Sequence, residues 1–425
     1  MKTYYALLCM ALCMLTACGG DDEYVPVEET DMEAPTAPVN LEATTVSENS
    51  ISLSWGAATD NVAVTGYTLY QDNVIVLDNL ETTSVLVSDL EEDATYTFYV
   101  TASDAKNNES NASNTLSVTT ALTPIAFTET LSEMGIFTGT LSEITPAEGV
   151  QLYEINSTLF TDYASKQRLI RLPEGKSMEY NGDELLPLFP DNTLIAKTFY
   201  YNIDDRDPNL GKQLIETRVF LKIQGSWKTG NYIWNSDQTE ATYRELGSIE
   251  AISYIDSDGA TQNIAYEIPS QQDCATCHNN NDMVFPIGMK LRSMNFNPDN
   301  ETINENQLDY FINNGLLTGL SSSSLVSTLP DWTDEATWDV FERSRAYMDV
   351  NCAHCHQPGG EVSNFDIDFR FETPFDDTGI YANRGEIEAR IQSTAPTYRM
   401  PQLGRTIVHE EAVAMLLTYL EAIED

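Results

Sequence analysis

Two short stretches carry residues able to do chemistry. "DCATCH" sets Cys274, Cys277 and His278 in a Cys-x-x-Cys-His run, and "NCAHCH" repeats the pattern with Cys352, Cys355 and His356. Two cysteines three apart lie on one turn of backbone. There their thiols can add to the two vinyl groups of a haem, and the histidine that follows is set beneath the iron. Three other readings compete. Four cysteines can build one zinc site, but zinc pairs need no histidine after each. Redox dithiols of thioredoxin type belong between a strand and a helix in a βαβ unit. Coincidence fits two full copies poorly. The expectation is two covalently attached haem c groups, held by Cys274, Cys277, Cys352 and Cys355, with His278 and His356 as metal ligands.

The cysteine count agrees with this. The chain has seven cysteines. Cys9 and Cys13 lie in an N-terminal apolar run, Cys18 ends that run, and the two motifs take the other four. None remains for a structural disulfide. A second axial ligand for the later motif is expected from "YRMPQLG", where Met400 precedes Pro401. A soft thioether opposite histidine raises a haem potential and closes the iron; the competing reading is a core methionine filling a gap. The earlier motif has no comparable partner. Met283, Met289, Met294 and His354 are its candidates, beside an open iron. His409, at the start of the last helix, is expected to face solvent.

The N-terminus, "MKTYYALLCMALCMLTACGGDDE", has a lysine, an apolar run too short to span a bilayer, and Cys18. It resembles a bacterial lipoprotein signal, which implies cleavage and lipidation at Cys18. The acidic "GGDDE" resembles an export tag. The resemblance implies an outer-membrane lipoprotein of a Gram-negative bacterium, at the cell surface or on the periplasmic face, joined to the membrane by its lipid. Haem attachment outside the cytoplasm is compatible with this.

The 425 residues carry 66 acidic and 22 basic side chains, a formal net charge of −44. Such a surface repels nucleic acid, and that function is set aside.

The elements that would position these residues fall into zones. Residues 1–18 read as signal and 19–34 as an acidic tether. Over 35–120, "SISLSWGAA" and "ATYTFYVTASD" alternate apolar and polar residues between turns, which predicts an all-β sandwich. This zone resembles a fibronectin type III domain, with Trp55 at the core tryptophan and Leu90 and Tyr96 at the tyrosine corner. It bears no cluster of chemical groups, so a spacer or adhesion module is expected. Residues 124–270 read as a mostly-β domain, with "LIETRVFLKI" and "SWKTGNYIWN" as neighbouring strands. Within it, Asp162, Lys166 and Arg168 form ion pairs in a loop or touch a ligand. Residues 271–330 form a first haem region and 331–425 a second. In the second, Trp338, Phe341, Arg345 and Met348 share one helical face before the motif, and Val413, Leu416, Leu417 and Leu420 share a stripe on the last helix. The fold class expected is multidomain: fibronectin-type sandwich, mostly-β middle, and a C-terminal mainly α, cytochrome c-like region.

From Phe160 onward the chain resembles a family of exported dihaem c-type cytochromes, on Phe160–Gly175, "IPSQQDCATCH", "RAYMDVNCAHCHQPGG" and "RMPQLG". The later region is similar to class I cytochromes c. The strand-like lead-in to Cys274 departs from that pattern. The resemblance implies electron transfer with redox partner proteins. A dihaem peroxidase with one open iron is the alternative. A third reading is a surface protein whose β-domains hold a polymer.

Overall fold

The computed structural model describes residues 30–300 and 302–423. Residues 1–29, and with them Cys9, Cys13 and Cys18, the expected lipidation site, lie outside the described residues. The chain divides into two compact units, one up to Leu122 and one from Thr123.

The first unit is a sandwich of two antiparallel sheets. Strands Val39–Val46, Ile51–Gly56 and Ser84–Val87 form one; Val74–Leu80, Val64–Gln71, Thr95–Asp104 and Leu116–Thr119 form the other. Alternation drives this: Ile51, Leu53 and Trp55 point inward from one sheet and meet Leu69, Phe98 and Val100 from the other. Trp55 packs edge-on against Tyr67, ring centroids 5.7 Å apart. Tyr96 accepts a hydrogen bond from the Glu91 amide at 2.9 Å, the corner expected of it.

The second unit is built on a six-stranded antiparallel sheet. Its order is Ala241–Arg244, Ser226–Trp234, Lys212–Ile223, Leu194–Asn202, Ser165–Arg171 and Val150–Leu152. The central strand Lys212–Ile223 is buried on both faces. Val219 and Leu221 join a core with Leu131, Ile136 and Ile144. Phe220 points the other way, into a core completed by Met289, Met294, Leu308 and Phe311. A hairpin, Ser248–Ile255 with Thr261–Ile268, packs Ile252, Tyr254 and Tyr266 on Phe199 and Ile215.

This overturns the expected mainly α, cytochrome c-like C-terminal region. The helices after residue 270 are α1 (Gln271–Cys277), α2 (Leu291–Met294), α3 (Gln307–Asn313), α4 (Val340–Asn351), α5 (Ile380–Ile391) and α6 (Glu410–Ala422). They run from 4 to 13 residues, and loops and two-residue strands separate them. The stretch 289–311 closes a β-sheet core rather than a helical one, because its apolar side chains pack against Tyr153, Ile170 and Phe220. Helices α4, α5 and α6 pack together, around Tyr347, Ile387 and Leu416. The expected stripe on α6 is filled out by Ala412, Met415 and Tyr419, and Phe341 on α4 is exposed, stacking edge-on against Tyr419.

Candidate functional site

The first Cys-x-x-Cys-His run lies on and just after α1. Ser270 caps this helix, and its hydroxyl and Asp273 form a reciprocal capping box. Cys274 and Cys277 thus sit one turn apart, and His278 closes the helix. The Nδ1 of His278 lies 2.8 Å from the Phe285 carbonyl, and its ring rests on Phe220 at 4.6 Å. Burial pushes its pKa down to about 3. The backbone then turns at Asn281, whose amide donates to the Gly359 carbonyl at 2.8 Å; Asn280 Nδ2 donates to Pro358. These bonds tie the first motif to the second.

The second run follows α4, which Asp339 and Glu342 cap. The His356 amide donates to the Cys352 carbonyl at 3.0 Å, folding Cys352, Ala353, His354, Cys355 and His356 into one turn. The His356 ring packs against Phe369 at 5.0 Å, and burial lowers its pKa to about 4. Burial also pushes the Cys352 thiol up to about 12. Cys277 and Cys355 share a thiol hydrogen bond, which raises the first and lowers the second.

Cys352, Cys355, His356 and Met400 line one cavity of about 280 Å³, walled by Tyr347, Ile387 and Leu416 among others. The structure therefore brings Met400 together with the later motif. Its loop is held by Arg405, whose guanidinium donates to the carbonyls of Met400, Arg390, Ile391, Ser393 and Ile407. Cys274, Cys277 and His278 line a second, smaller cavity with His354. The methionine candidates for that site go elsewhere: Met289 and Met294 are fully buried in the sheet core, and Met283 is 69% exposed. His354 is the candidate that reaches it. One ligand atom each from Cys277, His354 and Cys355 lies within 4.8 Å of the others. Two thiols and an imidazole make a soft donor set suited to a transition metal.

Three polar residues of the sequence reading have structural partners. Asp162 accepts from Thr406 and Ile407, and Lys166 donates to the Ala164 carbonyl at 2.8 Å. Arg168 pairs with Glu154 at 3.0 Å, from a strand rather than a loop. His409 corrects its expectation of exposure. It stacks on Phe160 at 4.0 Å with Tyr163 and Trp332 edge-on, and its Nδ1 lies 3.0 Å from Tyr347 Oη. Lys197, Arg218 and Thr161, which line the smaller cavity, carry no motif and were not anticipated. An isolated lysine in "LIAKTFYYN" was their one sequence signal.

Residues 34–119 match the fibronectin type III domain family. Among curated proteins, the chain is 50% identical over 91 residues to Chitinase A1 of Niallia circulans, covering 21% of this chain and 13% of that protein. It is 45% identical over 91 residues to Chitinase Chi52 of Paenibacillus xylanexedens, covering 21% and 17%. It is 44% identical over 95 residues to Exoglucanase A of Cellulomonas fimi, covering 22% and 11%. The chain thus spans less than a fifth of these relatives, with which it shares the fibronectin type III domain.

These relatives correct the expected function. They bear the names of polysaccharide-degrading enzymes, not of cytochromes, so membership of a dihaem c-type cytochrome family is not supported. The same finding overturns the expected two covalent haem c groups and electron transfer, together with the peroxidase alternative.

Proposed function

We propose that the chain is a lipid-anchored exported protein acting at polysaccharide, in which the fibronectin type III domain carries the Thr123–Asp425 unit to its polymer. The observation that carries this is the 50% identity to Chitinase A1 over a stretch about as long as the domain. The anchor is Cys18, and the outer membrane is its place. The site of the second unit is the pair of cavities lined by Cys274, Cys277, His278, Cys352, Cys355, His356 and Met400. We assign the larger cavity to a bound metal, with His356 and Met400 as its ligands, because imidazole and thioether donors suit transition metals.

Sedimentation with insoluble chitin, cellulose and starch tests the polymer, using the full chain and a chain lacking 34–119. Retention that falls on deletion supports the reading, as does release of reducing sugar. No retention and no release on any of the three overturns it. Elemental analysis of protein from an exporting host tests the metal: a bound transition metal is expected, with less in His356→Ala. Cys18→Ala is expected to leave the membrane fraction.

A further inference from the structure

We infer that the small cavity beside Cys274 and Cys277 binds a carboxylate group through Lys197, Arg218 and Thr161. The inference is independent of the polysaccharide reading.

The register of the six-stranded sheet sets three cations abreast. Lys197 is the cross-strand partner of Arg168 on one side and of Arg218 on the other. Like charges directly opposite one another destabilise a sheet, so each needs a counter-charge. Arg168 has Glu154 at 3.0 Å. Arg218 has Glu216, which takes Nε at 3.0 Å and Nη2 at 2.5 Å and leaves Nη1 uncommitted. Lys197, in the middle, has no ion pair and no hydrogen-bond acceptor for its ammonium among the described residues. Its one ring contact is Phe199, 5.7 Å away. A cation withdrawn from water is costly unless an anion accompanies it.

A second observation points to the same place. Thr161 is 2% exposed, and its Oγ1 is buried without a hydrogen-bond partner. Buried hydroxyls are nearly always bonded. Thr161, Lys197 and Arg218 all line the smaller cavity. Asp273 lines it too, but its Oδ2 receives the Ser270 amide and hydroxyl at 2.9 and 2.6 Å. The cavity thus offers an ammonium, a guanidinium N–H and a hydroxyl.

The volume, about 60 Å³, suits a carboxylate. A carboxylate, with a single negative charge, is repelled less by the Asp273 carboxylate in the same lining than a phosphate dianion is. Cys277, His354 and Leu403 line both this cavity and the larger one, so the body of a longer ligand would extend that way. A free monoanion and the carboxylate of a larger molecule present the same chemistry.

The test is a titration of the full chain with ¹³C-labelled acetate followed by carbon NMR line width, with glucuronate and glucose as competitors. Acetate is expected to broaden, and glucuronate but not glucose to displace it. Displacement by glucuronate at far lower concentration than by unlabelled acetate would identify a larger ligand as the source. Lys197→Met is expected to weaken acetate at least about tenfold, and Lys197→Arg to retain it. Thr161→Val, which keeps the side-chain shape and decides the matter should Lys197→Met not fold, is expected to weaken it several-fold. No broadening with the wild-type chain, or broadening unchanged by these variants, overturns the inference. So does binding of inorganic phosphate in place of acetate.

Discussion

Asp162 and Thr406, far apart in sequence, are joined by two hydrogen bonds. The Thr406 amide donates to Oδ1 at 2.7 Å and its hydroxyl to Oδ2 at 2.8 Å, and the Ile407 amide adds a third at 3.2 Å. Asp162 is buried at a positive φ of 46°, a backbone conformation that aspartate tolerates better than most residues. Its carboxylate fixes the segment that follows the Met400 loop. Asp162→Ala removes three part-buried hydrogen bonds, each worth a net of about 0.5–1.5 kcal/mol. A loss of about 2–4 kcal/mol is expected in urea unfolding. Unchanged stability would show that the Met400 loop is held by Arg405 alone.

Arg292 is expected to be a still more sensitive position. It lies 3.2 Å from Asp349 and 2.5 Å from Glu372, and Lys290 reaches Asp349 at 3.0 Å. Burial would push the Asp349 carboxyl up, but Lys290 and Arg292 outweigh it and hold it below its ordinary value. The Phe371 amide also donates to Asp349. The cluster joins α2 to the last turn of α4, just before Cys352. Arg292→Met strips one cation from two carboxylates, and breaking a buried pair costs about 3–5 kcal/mol. Thermal unfolding checks this. A variant as stable as wild type would mean that Lys290 alone neutralises both acids.

Local pattern carried the first unit. Inward Ile51, Leu53 and Trp55 and the Tyr96 corner are period-two and turn signals that need no distant partner. The strands Lys212–Ile223 and Ser226–Trp234 were legible for the same reason, and pair as expected. The region after residue 270 was not. Met289 and Met294 look like ligand candidates in the sequence, and only the sheet that covers them reveals a core role. His409 follows helix-start logic into solvent, but Phe160 and Trp332 arrive from elsewhere in the chain to enclose it. Cys352, His356 and Met400 share a cavity. The row Arg168, Lys197 and Arg218 is a matter of strand register, which no single segment encodes.

Tyr96 offers a test confined to the sandwich. Its hydroxyl accepts the Glu91 amide at a partly exposed corner, where water can replace it. Tyr96→Phe is expected to cost about 0.5–1.5 kcal/mol, the net range for one such bond. The measurement is denaturant unfolding of a fragment ending at Leu122, the boundary of the first unit. A larger loss would mean that the corner also organises the neighbouring strands.

His409 gives the second unit a pH dependence of defined sign. Burial pushes its pKa down to about 4, despite the carboxylate of Glu411 at 3.9 Å, and Lys166 and Arg405 add to the lowering. In the unfolded chain a histidine titrates near 6.5. Between those values the unfolded state binds a proton that the folded state refuses, so stability falls as pH falls through that window. Above about pH 7 the group contributes no slope. At 1.36 kcal/mol per unit, the window is worth on the order of 3 kcal/mol. His409→Phe keeps a ring to stack on Phe160 but cannot take up a proton. It loses the contact with Tyr347 Oη, so at pH 7 it is expected to be less stable than wild type by about 1 kcal/mol. At pH 4.5 the order is expected to reverse. Urea unfolding at the two pH values measures the difference, in which the other titrating groups cancel. Parallel wild-type and variant profiles would remove His409 as the source of the slope.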